Sequence, residues 1–148
     1  MSEKDYRALD VLMGADEEKI LKTFGKPHRP LNSVKLYKGK RGSTLAIVFH
    51  SPEGKTVVKA LALFSATGEV LHVRNIRLID EETVKKAKDA ETFKQAQKVL
   101  GLPTTDIGSG QQIFAYFTTQ AQLMTLQHFG NENVKLTLLK LTGEEAEI

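Results

Sequence analysis

Two stretches of this chain end on the same punctuation. Residues 14 to 27 read GADEEKILKTFGKP, and residues 90 to 103 read AETFKQAQKVLGLP. Gly25 answers to Gly101, Pro27 to Pro103, Lys22 to Lys98 and Phe24 to Leu100, all 76 positions apart. A glycine closes a helix because it alone adopts left-handed backbone without strain, and a proline two residues on prevents restart. The chain is therefore bound to stop a helix twice at matched places, and tandem copies of one unit become the leading organisation.

The elements around these stops repeat in order. Tyr6, Leu9 and Met13 are at helical spacing, and Gly14 interrupts. Asp16 is placed to cap a second helix, with Glu17 and Glu18 in its first turn and Ile20, Leu21 and Phe24 as its apolar stripe. Then SVKLYKG, STLAIVFHS, TVVKALALFS and EVLHVRNIRLI read as four strands, the last two forming a hairpin about ATGE. After Asp80 the pattern returns. EETVKKAK and DAETFKQAQKVLG are predicted helices, with Phe93, Ala96 and Leu100 on one face. QQIFAYFTT, AQLMTLQHF and VKLTLLKL follow as strands, the last two separated by a GNEN turn, with TTD as a possible short addition. The expected boundaries are 1–79 and 80–148, and the tail TGEEAEI reads as an acidic, frayed end.

The fold class expected is α+β: two tandem units, each a helix–loop–helix on an antiparallel sheet. One unit of about 70 residues is marginal by surface-to-volume scaling. Two units with sheets side by side and helices on one face would leave the outer sheet face free to hold another chain.

Gly14, an acidic pair, Ile20 and then Phe24-Gly25-x-Pro27 resemble the N-terminal helical signature of the SmpA/OmlA family of small outer-membrane lipoproteins. The resemblance implies a β-lactamase-inhibitor-protein-like (BLIP-like) fold, in which a helix–loop–helix packs on an antiparallel sheet and tandem units form one gripping surface. It implies an extracytoplasmic protein of the cell envelope or secreted, with an unknown protein partner and room for a lipid anchor upstream of residue 1; the residues themselves leave a cytosolic placement open. The departures are Ala90 at the place of Gly14 and the absence of any cysteine, which removes the disulfides of the inhibitor proteins and argues against inhibition of β-lactamase.

No catalytic constellation emerges. His28, His50, His72 and His128 show no metal-ligand spacing, so no metal or cofactor is expected. Asp16-Glu17-Glu18 and Asp80-Glu81-Glu82 fall at helix starts, where carboxylates act as caps. Lys35, Lys38, Lys40 and Arg41 surround Tyr37, but a net charge of +3 argues against nucleic acid. Gly108-Ser109-Gly110 lacks the five-residue nucleophile-elbow pattern, and a flexible loop is expected there. No apolar run approaches the roughly 18 residues of a membrane-spanning helix.

The reading is a non-enzymatic protein-binding module whose exposed sheet face carries Tyr37, His50, His72, Arg74 and Tyr116. Placing Tyr116 there requires Ile113 and Phe117 to meet the helices. The alternation of IFAYF leaves either set as core. The competing readings are a small-molecule-binding or enzymatic α+β domain with a helix–sheet pocket, and an envelope scaffold.

Overall fold

In the computed structural model, which describes residues 3–129 and 133–142, the carboxylate of Asp16 accepts the Lys19 N–H at 2.8 Å and starts helix α1, Glu17–Phe24. Gly25 ends it at φ 75°, ψ −153°, donating its N–H to the Leu21 carbonyl at 2.8 Å. The preceding segment, Glu3–Leu12, is a 3-10 helix. Its Leu9 and Leu12 join Ile20 of α1 against the sheet. The side chain of Tyr6, expected on the same stripe, lies outside the described residues.

Five strands follow where four are expected. They are β1 Arg29–Leu31, β2 Val34–Lys38, β3 Thr44–His50, β4 Val57–Phe64 and β5 Val70–Arg74, antiparallel in sequence order. The extra strand, β1, contains Pro30, which weakens a strand reading but is tolerated at a sheet edge. The strand expected through Ile79 stops at Arg74. Asn75 turns the backbone at φ 59° and donates its side-chain amide to the Lys59 carbonyl.

The second half repeats the arrangement. Asp80 caps α2, Glu81–Lys88, and Thr92 caps α3, Phe93–Leu100. Gly101 closes α3 at φ 75°, ψ −153°, the angles of Gly25, and donates to Gln97 just as Gly25 donates to Leu21. Strands β6 Thr105–Asp106, β7 Phe114–Phe117, β8 Gln122–Phe129 and β9 Asn133–Lys140 form the second antiparallel sheet. Much of the expected GNEN turn and nearly all of the acidic tail lie outside the described residues. The Asp106–Ile113 loop is tied down: the Asp106 carboxylate accepts the N–H groups of Gly108 and Ile113 at 2.8 and 3.0 Å.

The class is α+β, but the sheet faces expected to form a free platform face each other. Val34, Leu36, Ala46, Val48, Ala60, Ala62 and Phe64 of the first sheet form one buried cluster with Ala115, Phe117 and Leu123 of the second and with Leu141 just beyond β9. The 3-10 helix and α1 cover the other face of the first sheet, and α2 and α3 cover the other face of the second. The layers therefore run helices, sheet, sheet, helices. The cause is legible in β3 and β4, TLAIVFH and VVKALALF, which are apolar on both faces and so must be covered on both. Polar ties fasten the halves: Thr44 Oγ1 donates to the Leu141 carbonyl at 2.5 Å, and Lys59 Nζ donates to the Thr104 carbonyl at 2.7 Å. The linker residue Ile79 donates its N–H to the Phe117 carbonyl at the end of β7 and accepts the N–H of Thr119 just beyond it.

Candidate functional site

Of the five expected contact residues only His72 and Arg74 come together, and none lies on an open sheet face shared by the units. Tyr37 is 7% exposed and packs under α1, its ring 5.4 Å from that of Phe24. Burial, with the nearby Glu17 carboxylate, raises its phenol above the ordinary range. Tyr116 is 1% exposed and points toward α3, donating its hydroxyl to the Gly101 carbonyl at 2.9 Å. Both tyrosines are corrected from partner contacts to core. Phe114 and Tyr116 meet the helices, and Ala115 and Phe117 meet the first sheet, so both faces of β7 are interior.

His72 and Arg74 do share one face of β5, but it is the helix-facing one. His72 Nε2 lies 2.7 Å from Asp10 Oδ1, and Arg74 Nε lies 3.6 Å from the same oxygen. They clasp the 3-10 helix to the sheet edge. His50 remains exposed at the end of β3, beside a shallow polar cleft of about 510 Å³ that also includes Asn32, Ser33, Thr105 and Asp106. The Asn32 side chain donates to the Ile107 carbonyl, and the Ser33 and Thr105 hydroxyls are 2.8 Å apart, so much of the cleft's polar lining stitches the two units together.

Burial pushes the Tyr116 phenol from the ordinary 10.0 up to about 12, against a smaller lowering by the Arg77 guanidinium. The neutral form is favoured in the folded protein, so this contribution is complete below pH 10 and is lost as pH rises toward 12. Tyr116→Phe is expected to lose about 1 kcal/mol near neutrality, where the Gly101 carbonyl forfeits its donor. Urea titrations at stepped alkaline pH should show the gap between wild type and variant narrowing through that window. A constant gap would contradict the assignment.

An apolar groove lies elsewhere, beside β9. Strand β9 is the edge of the second sheet and, at eight residues, is far longer than β6 at its opposite edge. On the face turned away from the helices Asn133, Lys135 and Thr137 are exposed; on the helix side Val134, Leu136 and Leu138 are only half-buried. These three, with Thr137 and with Ala87 and Lys88 at the end of α2, line a groove of about 460 Å³. In the first unit the matching leucines are covered. There β5 pairs with β4 and Leu71 packs beside the 3-10 helix, leaving Leu61 and Leu63 0% and 7% exposed. Among the described residues no strand pairs with the outer side of β9.

The groove was missed at the sequence level, although VVKALALF and NVKLTLLK carry its signal. Leu61 and Leu63 correspond to Leu136 and Leu138 once the irregularity that sets Lys59 aside from the β3–β4 register is allowed for. A strand following the first of these, with no described counterpart after the second, marks the open edge.

No protein family, curated protein or solved structure matches this chain. Among the described residues no helix is long and apolar enough to cross a membrane.

Proposed function

We propose that this chain is a non-enzymatic protein-binding module that accepts an extended segment of a partner protein as an added strand on β9. The carrying observation is the half-buried Val134, Leu136 and Leu138 on the edge strand β9, with whose outer side no strand pairs among the described residues. Exposed edges offer main-chain donors and acceptors in a fixed row, and pockets beside them select alternate side chains. The first unit supplies the template, since β5 occupies this position on β4.

The template also indicates the partner's chemistry. In the first unit His72 and Arg74 answer Asp10 on the helix. The position of Asp10 corresponds to Lys85 when the buried residues of the helices are matched, and to Lys86 when the Gly-x-Pro stops are matched. Either way the helix side is basic, and Lys88 follows at the groove wall. The preferred segment therefore alternates apolar and acidic residues. Placement outside the cytoplasm, in the envelope or secreted, rests on the resemblance to the SmpA/OmlA-like lipoproteins and belongs to the same proposal.

A labelled ten-residue peptide alternating valine and glutamate, read by fluorescence anisotropy, tests the binding. Lys88→Glu, an exposed change, and Leu136→Lys, in the groove, are each expected to weaken it about tenfold, the equivalent of 1.4 kcal/mol. Binding that neither change alters, or that an alternating valine–lysine peptide matches, would overturn the proposal.

A further inference from the structure

We infer that the basic turn between β2 and β3 is a second part of the β9 site and selects partner segments that carry an acidic flank at their N-terminal end. The inference rests on the strand-accepting reading of β9. Its first support is the way the two sheets cross. Just before β2, the Ser33 hydroxyl meets the Thr105 hydroxyl of β6 at 2.8 Å and donates to the Asp106 carbonyl at 3.1 Å. At the far end of β2, Lys38 is opposite Thr44, whose hydroxyl donates to the carbonyl of Leu141, one residue past β9. Strand β2 therefore runs across the second sheet from its β6 edge to its β9 edge. The steps from Ser33 to Lys38 cover about 17 Å, and the strand spacings from β6 to β9 about 14 Å, so the lengths agree. The turn of residues 39–43 thus projects at the C-terminal end of the β9 edge.

The second support is the charge gathered there. Residues 19–52 hold eight lysines and arginines and no carboxylate, although the whole chain is only +3. Lys22 and Lys35 are answered by Glu18 and Glu17 of α1. The register of β1 on β2 sets Arg29 opposite Leu36, and His28 donates its N–H to the Leu36 carbonyl at 2.8 Å. Lys26 and Arg29 therefore enter β1 at the end of the sheet where Lys38 and Arg41 leave β2. Among the described residues none of these four pairs with a carboxylate, that of Glu69 in the adjoining β4–β5 turn included. Arg41 is exposed and holds φ 65°, ψ 23°, left-handed backbone in which asparagine or glycine would be less strained. A cation kept at a strained tip fits an anion contact. Tyr37, the aromatic of this stretch, is buried, so no stacking platform for single-stranded nucleic acid accompanies the charge.

The direction follows from the first unit. There β5 adds to β4 antiparallel, with Val70 at its start opposite Phe64 at the end of β4. A segment added to β9 in the same sense begins beside Lys140, and the residues preceding it run toward the basic turn. Arg41 is three residues from Thr44, so a flank of three extended residues, about 10 Å, reaches it.

Fluorescence anisotropy tests the inference with the valine–glutamate peptide alone, with three aspartates added at its N-terminal end, and with three added at its C-terminal end. The N-terminal flank is expected to tighten binding about tenfold, and the C-terminal flank by about twofold at most. Arg41→Asn, which keeps a residue tolerant of left-handed backbone, combined with Lys26→Gln, an exposed change, should remove that gain. Salt at about 1 M should also remove most of it, because screening then acts within about 3 Å. No gain from either flank, an equal gain from both, or a gain that survives the two substitutions overturns the inference. Binding of the plain peptide without a gain from the flank leaves the β9 site and removes the basic turn from it. Binding of the flanked peptide that Leu136→Lys does not weaken removes the β9 site, and this inference with it. A duplex oligonucleotide that binds as tightly as the flanked peptide, and loses affinity with Arg41→Asn, would assign the turn to nucleic acid and overturn the inference.

Discussion

Replacing Phe117 by alanine should remove about 3–5 kcal/mol of stability, the range for deleting a buried phenylalanine ring from a packed core. Against the total of about 5–15 kcal/mol typical of a domain, that is a large share. The ring is 0% exposed and lies in the cluster where the two sheets meet, with Phe64, Ala62 and Leu123 in the same cluster. Small residues at Ala46, Ala60 and Ala62 let the sheets approach, so a lost ring leaves a void that rigid neighbours cannot close. Because the cluster is shared, the change should weaken both halves together. Guanidinium titration followed by far-UV circular dichroism gives the magnitude, and exchange at amides of β3 and β8 gives its distribution. A loss below about 1 kcal/mol, or faster exchange confined to the second half, would mean that the sheets do not share this core.

Gly101→Ala is expected to cost more than Gly25→Ala, although the two glycines have the same backbone angles. At φ 75° and ψ −153° both sit in a region that is essentially closed to residues with a Cβ, and such strain costs about 1–3 kcal/mol. A Cβ at Gly25 meets nothing within 4 Å, so Gly25→Ala isolates the backbone contribution. A Cβ at Gly101 comes 3.0 Å from an Arg77 guanidinium nitrogen, the nitrogen that donates to the carbonyls of Leu100 and Leu102. That side chain must shift and loosen its hold on the end of α3. Urea midpoints of the two variants give the comparison directly. If both changes cost less than about 0.5 kcal/mol, the shared helix stop is not a conformational requirement.

These glycines also mark how far the sequence could be read. The helix stops, the caps at Asp16 and Asp80, and the helix–helix–strands order in each half follow from local chemistry, and all are present. Even β6, foreseen only as a possible addition at TTD, is there, whereas its counterpart β1 went unread because Pro30 disguises it. The contact residues failed for a different reason. Alternation puts His72 with Arg74, and Phe114 with Tyr116, on shared faces, but it does not say which layer each face meets. An outward Tyr37 and Tyr116 follow only if each sheet has one covered face; the structure covers both faces over most of the first sheet and over β7.

The sequence by itself determined where helices begin and end, which residues share a strand face, and that one pattern is used twice. Those properties depend on neighbours a few residues apart, through capping, backbone strain and side-chain periodicity. Only the tertiary structure decided that the two sheets close on each other, that β9 is a sheet edge beside an apolar groove, and that His72 and Arg74 hold a helix in place. Each of these turns on which apolar face finds which, a choice among long-range pairings that hydrophobic burial rewards almost equally by area and that shape alone separates.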